Sequence, residues 1–549
     1  MRLAKLRRCS QILFFALFVF LLVRTEFRGS FRAAAGEIRL PLPVKIFLEA
    51  DPLAGLVNVL ASGALYQGLL WGLLILLPTF FLGRFFCGWI CPLGTLNHFF
   101  SRLPSESKRG RRLVESNRYK SWQRLKYWIL LGGLAASLCG SALLGWLDPI
   151  SLLVRSLALS VLPGLNYALD GLLDLLYRSN FWPLVLLAEG LGFLFHRTLL
   201  SFRQPYFHQA FWLGAILVVI LLMNLRVTRW WCRALCPLGA LLGIASRWAI
   251  LGLEKRTTQC GDCQRCLLAC QGGDDPIPGA RWRKSECHLC MNCVAGCPEG
   301  HIAFKFFPAS DAVLRPDLRR RQVVGSLALG AASVPLLRST LGFAVAGHER
   351  LLRPPGALAE GDFLARCIRC GECMKVCPNN ALHPALVEAG LEGLWTPVVV
   401  PRVGYCEPSC VLCGQVCPTG AIWQITPQEK GWATSASAPG SKPVRLGTAL
   451  IDRGRCLPWA MARECIVCEE WCPTSPKAIY LRTVEAPDAE GKLKQVRQPW
   501  VNPAACVGCG ACEYACPVLD RPAIYVTRAG ESRSRASQVL LEPRAKGRI

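Results

Sequence analysis

Residues 287–298 read Cys287-His-Leu-Cys290-Met-Asn-Cys293-Val-Ala-Gly-Cys297-Pro298. Three cysteines stand two residues apart, and a fourth follows after three residues and precedes a proline. Three thiolates on so tight a loop can hold three irons of a cubane, while the fourth leaves the loop on a helix and ligates a neighbouring cluster. Soft thiolates select iron–sulfur or zinc. Zinc ribbons want paired C-x2-C knuckles, so a triplet with a Cys-Pro coda reads as a 4Fe-4S site.

The pattern recurs along the chain. Cys260, Cys263, Cys266 and Cys270 have the same spacing, with Gln271 in place of the proline. Cys367, Cys370, Cys373 and Cys377 repeat it, as do Cys506, Cys509, Cys512 and Cys516. Two groups are variants with a longer first gap: Cys406, Cys410, Cys413 and Cys417, and Cys456, Cys465, Cys468 and Cys472. These 24 of 30 cysteines predict six 4Fe-4S clusters. Gly371 and Gly510 sit in the loops, where backbone must approach a cluster closely. Two sets follow. In 260–297 the natural exchange is Cys260, Cys263 and Cys266 with Cys297, and Cys287, Cys290 and Cys293 with Cys270. In 367–516 a nested exchange is expected, outer group with outer and inner with inner.

A chain of 549 residues has room for three or four domains and is too long for a small disulfide scaffold. Hydrophobic residues make up 52% and charged residues 18%, which excludes a disordered or collagen-like chain and points towards a membrane. Apolar runs occur at 10–23, 64–82, 127–147 and 210–225. The first is short, is flanked by Arg7, Arg8 and Arg24, and reads as an anchor rather than a cleaved secretory signal. Runs 161–176 and 181–195 are shorter and are expected to be amphipathic or re-entrant.

The net charge of +26 could suggest nucleic acid, but the basic residues sort by side. Lys5, Arg7 and Arg8 precede the first run, Arg109, Arg111, Arg112 and Arg118 follow the second, and Arg226, Arg229 and Arg233 follow the fourth. The positive-inside rule assigns these places to the cytoplasm, so the basicity sets orientation and no nucleic-acid partner is expected.

Two further cysteine pairs share one motif: Cys87-Gly-Trp-Ile-Cys91-Pro-Leu-Gly94 and Cys232-Arg-Ala-Leu-Cys236-Pro-Leu-Gly239. This C-x3-C-P-L-G sequence is an internal repeat. Cysteines at i and i+4 share a helix face, and the four thiols could build a cluster, a redox disulfide or a copper site, or pack as small hydrophobes. Cys9 and Cys139 have no such partners and are expected to be inert.

Together with Asp148-Pro-Ile-Ser-Leu152 and the 260–297 set, these motifs resemble the NapH-type membrane ferredoxin proteins of nitrate-reductase systems, over about residues 1–310. The wider group includes a nitrous oxide reductase maturation protein, whose flavin domain has no room here, and copper-oxidase assembly ferredoxins. Arg319-Arg-Arg321 before the mildly apolar run 323–337 resembles a Tat export signal, with Ala344-Val-Ala346 like its cleavage site. Residues 360–549 resemble the NapG/MauM-type exported four-cluster ferredoxins. The chain thus looks like a fusion of the two.

The fold expected is multidomain: an all-α membrane bundle plus α+β bacterial-ferredoxin-like iron–sulfur domains, one two-cluster and one four-cluster. Residues 1–250 form the membrane domain, 251–310 the cytoplasmic two-cluster domain, 311–359 the signal-like linker or transmembrane segment, and 360–549 the exported four-cluster domain. Localisation is a multi-pass bacterial inner membrane, in contact with lipid and the quinone pool.

The resemblance implies quinol oxidation during anaerobic respiration, with electrons delivered through the clusters to a periplasmic reductase or cytochrome. Glu189, inside an apolar run, is the first candidate for a quinol-site proton acceptor, because an intramembrane carboxylate is expensive and usually functional. Asp148 and His208 are also candidates, as is Tyr206. Haem is not expected, since His98, His196 and His208 all sit near the ends of apolar runs. The alternative function is a maturation or metal-reducing factor handling copper at Cys87, Cys91, Cys232 and Cys236.

Overall fold

The computed structural model describes residues 2–27, 40, 43–64, 66–103, 110–179, 181–198, 205–256, 263–278, 280–308, 318–339, 348–432, 443–487 and 491–533. The chain divides into two units, one of Met1–Thr25, Leu42–Arg338 and Leu364–Glu372, the other of Glu26–Pro41, Ser339–Phe363 and Cys373–Ile549.

The first unit is mainly helical. The run at 10–23 lies inside the 23-residue helix Arg2–Arg24 and so is longer than its apolar centre implied. The runs at 64–82 and 127–147 are broken. The former becomes a 3-10 turn, Gln67–Gly72, and a helix, Leu73–Leu82, that contains Pro78. The latter is helix Leu125–Leu138, ended near the left-handed Gly140 (φ +80°), where a side chain would be strained. Helix Ala210–Met223 matches the last run.

Residues 149–198, expected to be amphipathic or re-entrant, form a helical hairpin. Helix Pro149–Ser156 continues through a π turn, Leu157–Val161, into Leu162–Arg178, and Trp182–Thr198 returns against it around Leu173 and Ala188. By length and composition, two helices are long and apolar enough to cross a membrane: Leu3–Arg24 and Pro149–Arg178. Pro52–Ser62, Gln67–Leu82, Trp182–Phe195 and Ala210–Met223 are shorter apolar helices.

Helix Leu125–Leu138 links two ends of this unit. At its start, Tyr127 donates its hydroxyl to Glu286 Oε1 (2.8 Å), beside the Cys287 loop. Just beyond its end, Ala142 N–H reaches Leu364 O (3.3 Å) and Ala142 O accepts from Arg369 Nη1 (2.7 Å). From Leu125 to Leu138 the helix rises roughly 20 Å at 1.5 Å per residue. Helix Arg320–Ser339, after the twin arginines, lies along it. A Cβ at Gly330 would collide with the Gly132 carbonyl, and Arg338 Nη2 donates to Gly140 O (3.0 Å). The stretch at 344–346, read as a cleavage site, lies outside the described residues.

Ferredoxin-type folding begins where β1 (Leu251–Lys255) pairs antiparallel with β2 (Ile302–Phe306), Leu251 opposite Phe306. Two short helices, Arg265–Ala269 and Asn292–Gly296, lie between the strands in the chain and pack against each other. In the second unit, β3 (Leu382–Pro384) pairs with β4 (Pro397–Val399), β5 (Thr448–Ile451) with β8 (Ile524–Thr527), and β6 (Ile479–Pro487) with β7 (Leu493–Val501), all antiparallel. The β5–β8 pairing matters most for the site, because it closes the chain between residues 456 and 516 into one module.

Candidate metal centres

The cysteine loops have a common backbone. In all four regular groups the residue after the second cysteine is left-handed: Gln264 (φ 47°), Met291 (57°), Gly371 (85°) and Gly510 (87°). This turn reverses the chain so that a short helix can carry the third cysteine. Glycine takes this conformation without strain. In the two variant groups the equivalent residues, Val411 and Ile466, have φ of −131° and −120°.

The nested exchange expected for 367–516 is corrected by two cavities. One is lined by Cys456, Cys465, Cys468 and Cys516. The other is lined by Cys472, Cys506, Cys509 and Cys512. The 456–472 and 506–516 groups, neighbours along the chain, therefore exchange their fourth cysteines with each other, Cys472 meeting Cys506, Cys509 and Cys512 and Cys516 meeting Cys456, Cys465 and Cys468. The cause is the β5–β8 pairing, with helices Val467–Glu470 and Ala511–Ala515 packed side by side. Cys377 likewise lies within electrostatic reach of Cys406, Cys410 and Cys413. Four thiols around one cavity are the donor set a 4Fe-4S cluster needs.

One charged residue here carried no signal in the sequence reading. Lys430 is fully buried, and its Nζ sits 3.4 Å from Cys406 Sγ while donating to the carbonyls of Glu407 (2.6 Å) and Cys410 (2.8 Å).

In the first unit Cys270 lies within electrostatic reach of Cys290, and Cys266 of Cys293. Cys263 is exposed, and Cys260 lies outside the described residues. Glu286, the residue before Cys287, is buried. It accepts from Tyr127, from Gln123 Nε2 (3.1 Å) and from Lys126 Nζ. Burial opposes its ionisation, yet Lys126 and Arg84 hold its carboxyl below the usual range.

The C-x3-C-P-L-G repeats converge on this loop. Cys87, Cys91, Cys232 and Cys236 are all buried and lie within electrostatic reach of one another. A Cβ at Gly88 would overlap the His288 carbonyl, and Trp89 Nε1 donates to Leu289 O (3.0 Å).

The quinol-site candidates separate. Glu189 is exposed on helix Trp182–Thr198. His208 is half-buried, edge-on to the Tyr206 ring at 5.5 Å. Asp148 is buried and caps helix Pro149–Ser156 through Ser151 N–H (2.7 Å). It lies within electrostatic reach of Asp51, a buried residue that carried no signal in the sequence and that caps helix Pro52–Ser62 through Leu53 N–H (2.8 Å).

Beyond Asp148, Arg155 is buried and donates to Trp146 O (3.1 Å) and Arg369 O (2.9 Å). The loop of Cys367 and Cys370 therefore sits against the start of the Asp148 helix. A Cβ at Gly371 would come within 3.1 Å of Leu159.

Comparison with known proteins adds to this geometry. The family Fer4_5, described as a 4Fe-4S binding domain, matches residues 65–112 and 209–253, and Fer4, also a 4Fe-4S binding domain, matches 364–383 and 499–519. The chain is 38% identical over 178 residues to the ferredoxin-type protein NapG of Escherichia coli K12, covering 32% of this chain and 69% of that one. It is 35% identical over 228 residues to the methylamine utilization ferredoxin-type protein MauM of Paracoccus denitrificans, covering 40% and 90%. It is 30% identical over 176 residues to the ferredoxin-type protein NapF of Escherichia coli K12, covering 32% and 85%. No solved structure matches.

Proposed function

The chain belongs, over about a third of its length, to the family of ferredoxin-type proteins that includes NapG and MauM, and on that premise we propose that this iron–sulfur electron-transfer protein is membrane-bound, oxidises quinol and serves a redox partner on the exported side. The cysteines 260–297 and 367–516 are the proposed ligands of six 4Fe-4S clusters, with the exchange just described. Bound there, the clusters would supply one-electron transfer between a two-electron quinol and a soluble partner.

The observation that carries this reading is the reach of helix Leu125–Leu138, which has the Cys287 loop at its start and the Cys367–Cys370 stretch just past its end. On this reading the helix would join a cluster loop on each side of the bilayer. The region corresponding to NapH-type proteins, 1–310, would place the two-cluster domain in the cytoplasm. Helix Arg320–Ser339, packed along the same helix, would carry the chain across to the four-cluster domain.

Quinol becomes quinone by losing two protons and two electrons. The buried Asp51 and Asp148 carboxyl groups are the ones placed to take up a proton. Arg155 fixes the backbone between that pair and the Cys367–Cys370 loop. Asp148 is therefore the favoured proton acceptor, with Glu189 and His208 as the other candidates.

The test is anaerobic. The cluster-loaded protein in liposomes is mixed with a menaquinol analogue, and cluster reduction is followed by EPR for the wild type, Asp148→Asn and Glu189→Gln. Fast reduction that Asp148→Asn slows supports the reading. Reduction by dithionite alone sinks it. The convergence of Cys87, Cys91, Cys232 and Cys236 favours a second reading, metal handling for a respiratory enzyme, for which stoichiometric copper would be the sign.

A further inference from the structure

The repeat is longer than its cysteines. It runs Arg84-Phe-Phe-Cys87-Gly-Trp-Ile-Cys91-Pro-Leu-Gly94 and again Arg229-Trp-Trp-Cys232-Arg-Ala-Leu-Cys236-Pro-Leu-Gly239. An arginine and two aromatic residues precede the first cysteine in both copies.

The two copies fold alike. In each, the first cysteine sits in a short helix and the second caps a nine-residue helix, Pro92–Phe100 or Pro237–Ala245. Gly94 N–H points at Cys91 Sγ (3.4 Å) and Gly239 N–H at Cys236 Sγ (3.2 Å).

The arginines cross over. Arg229 Nη1 donates to Cys87 O (3.0 Å) in the other copy. Arg84 Nη2 lies 4.0 Å from Cys87 Sγ in its own copy, and also 2.8 Å from where a Cβ of Gly239 would stand in the other. Each copy thus contributes a cation to the partner half, and the halves form one site.

Charge defines what the site holds. Arg84, Arg229 and Lys126 are buried to 1% exposure or less, and all three interact electrostatically with Cys232. Glu286 is the carboxylate paired with Lys126, so two buried positive charges are left over. Arg84 Nε and Arg229 Nε and Nη2 have no hydrogen-bond partner. Buried cations need a compensating anion. Two disulfides would supply no charge, whereas four thiolates around a 4Fe-4S core supply about −2.

The matched family separates the metals. Each segment that matches a 4Fe-4S binding domain here, 65–112 and 209–253, has two cysteines, half a ligand set.

We infer that Cys87, Cys91, Cys232 and Cys236 hold one further 4Fe-4S cluster shared between the two copies of the repeat, with Arg84 and Arg229 as its charge partners. It abuts the Cys287 loop through Gly88 and His288. The inference rests on the iron–sulfur reading and is independent of quinol oxidation.

The experiment uses the full chain, purified anaerobically in detergent. Iron, acid-labile sulfide, copper, zinc and free thiols are measured for the wild type, for Cys91→Ser, for Cys236→Ser and for the double variant. A seventh cubane predicts about 28 irons in the wild type. Either single variant loses about four irons, and the double variant loses no more than either single one, because one shared centre can be lost only once. The remaining iron reports that the other cluster domains are intact. A wild-type content near 24 irons overturns the proposal whatever the variants do, as does copper or zinc lost in place of iron, or losses that add between the copies. As a variant that leaves every thiol in place, Arg229→Gln should keep the iron and lower one EPR-monitored reduction potential. Unchanged potentials would overturn the role given to the arginines.

Discussion

The Nζ of Lys430 stands 3.4 Å from Cys406 Sγ in a place closed to water, with the Trp432 ring 4.2 Å away on another side. A cation hydrogen-bonded to a ligand sulfur stabilises the more negative, reduced form of a cluster and raises its potential. Lys430→Met should lower one potential of the exported set by about 60 mV, a tenfold step for one electron. Lys430→Arg, if it fits, should restore most of it. A redox titration followed by EPR checks both. Lys430→Met also leaves the carbonyls of Glu407 and Cys410 unpaired, which costs about 1–3 kcal/mol of stability.

Glu360 is held by two arginines, Arg353 (Nη2 to Oε1 2.5 Å) and Arg533 (Nη1 to Oε2 2.8 Å). Burial resists ionisation, but the arginines prevail and draw its carboxyl down to about 2. A depressed carboxyl stabilises the fold at pH values above its unfolded value, near 4.3, and the contribution fades as pH falls towards 2. With the side chain 32% exposed and screened by water, it should be about 1–2 kcal/mol. Guanidinium midpoints of the wild type and Glu360→Gln should differ equally at pH 7 and 6 and converge as the pH is lowered through 4 and 3.

The cysteine loops were legible in the sequence because the ligands of each group lie within seventeen residues of one another and the spacing is the geometry. The exchange of the fourth cysteine was not, since it depends on β5 meeting β8 across more than seventy residues. Nesting and succession fit the same spacing equally well. Arg84 and Arg229 could have been found, because both stand three residues before the first cysteine of a repeat. Lys430 and Asp51 could not: a single lysine in a short turn, or a single aspartate before proline, reads as an ordinary cap. The run at 127–147 was over-extended because hydropathy averages across Gly140, where the backbone turns left-handed.

Gly330 is placed so that any side chain would strike the Gly132 carbonyl. Contacts of this kind let two helices approach closely in an apolar setting, where packing rather than water expulsion holds them. Gly330→Val should force the helices apart at a cost of about 1–3 kcal/mol. Limited proteolysis should then cut faster around residues 310–345, while Gly325→Val, with open space at its Cβ, should behave as the wild type.

Glu286 joins the Cys287 loop to helix Leu125–Leu138 through Lys126, Tyr127 and Gln123, all of them buried. Removing its charge leaves the Lys126 ammonium without its partner away from water. Loss of one member of such a pair costs about 3–5 kcal/mol, more than the pair contributes against an apolar replacement. Glu286→Gln should therefore lower the thermal midpoint sharply and release iron from the two-cluster domain first. Lys126→Met alone should also destabilise. The double variant should recover much of the loss, since no unpaired charge remains, and a coupling of about 2 kcal/mol or more in the double-mutant cycle is the expected reading. Additive losses would mean that Glu286 acts through Tyr127 and Gln123 rather than through the lysine.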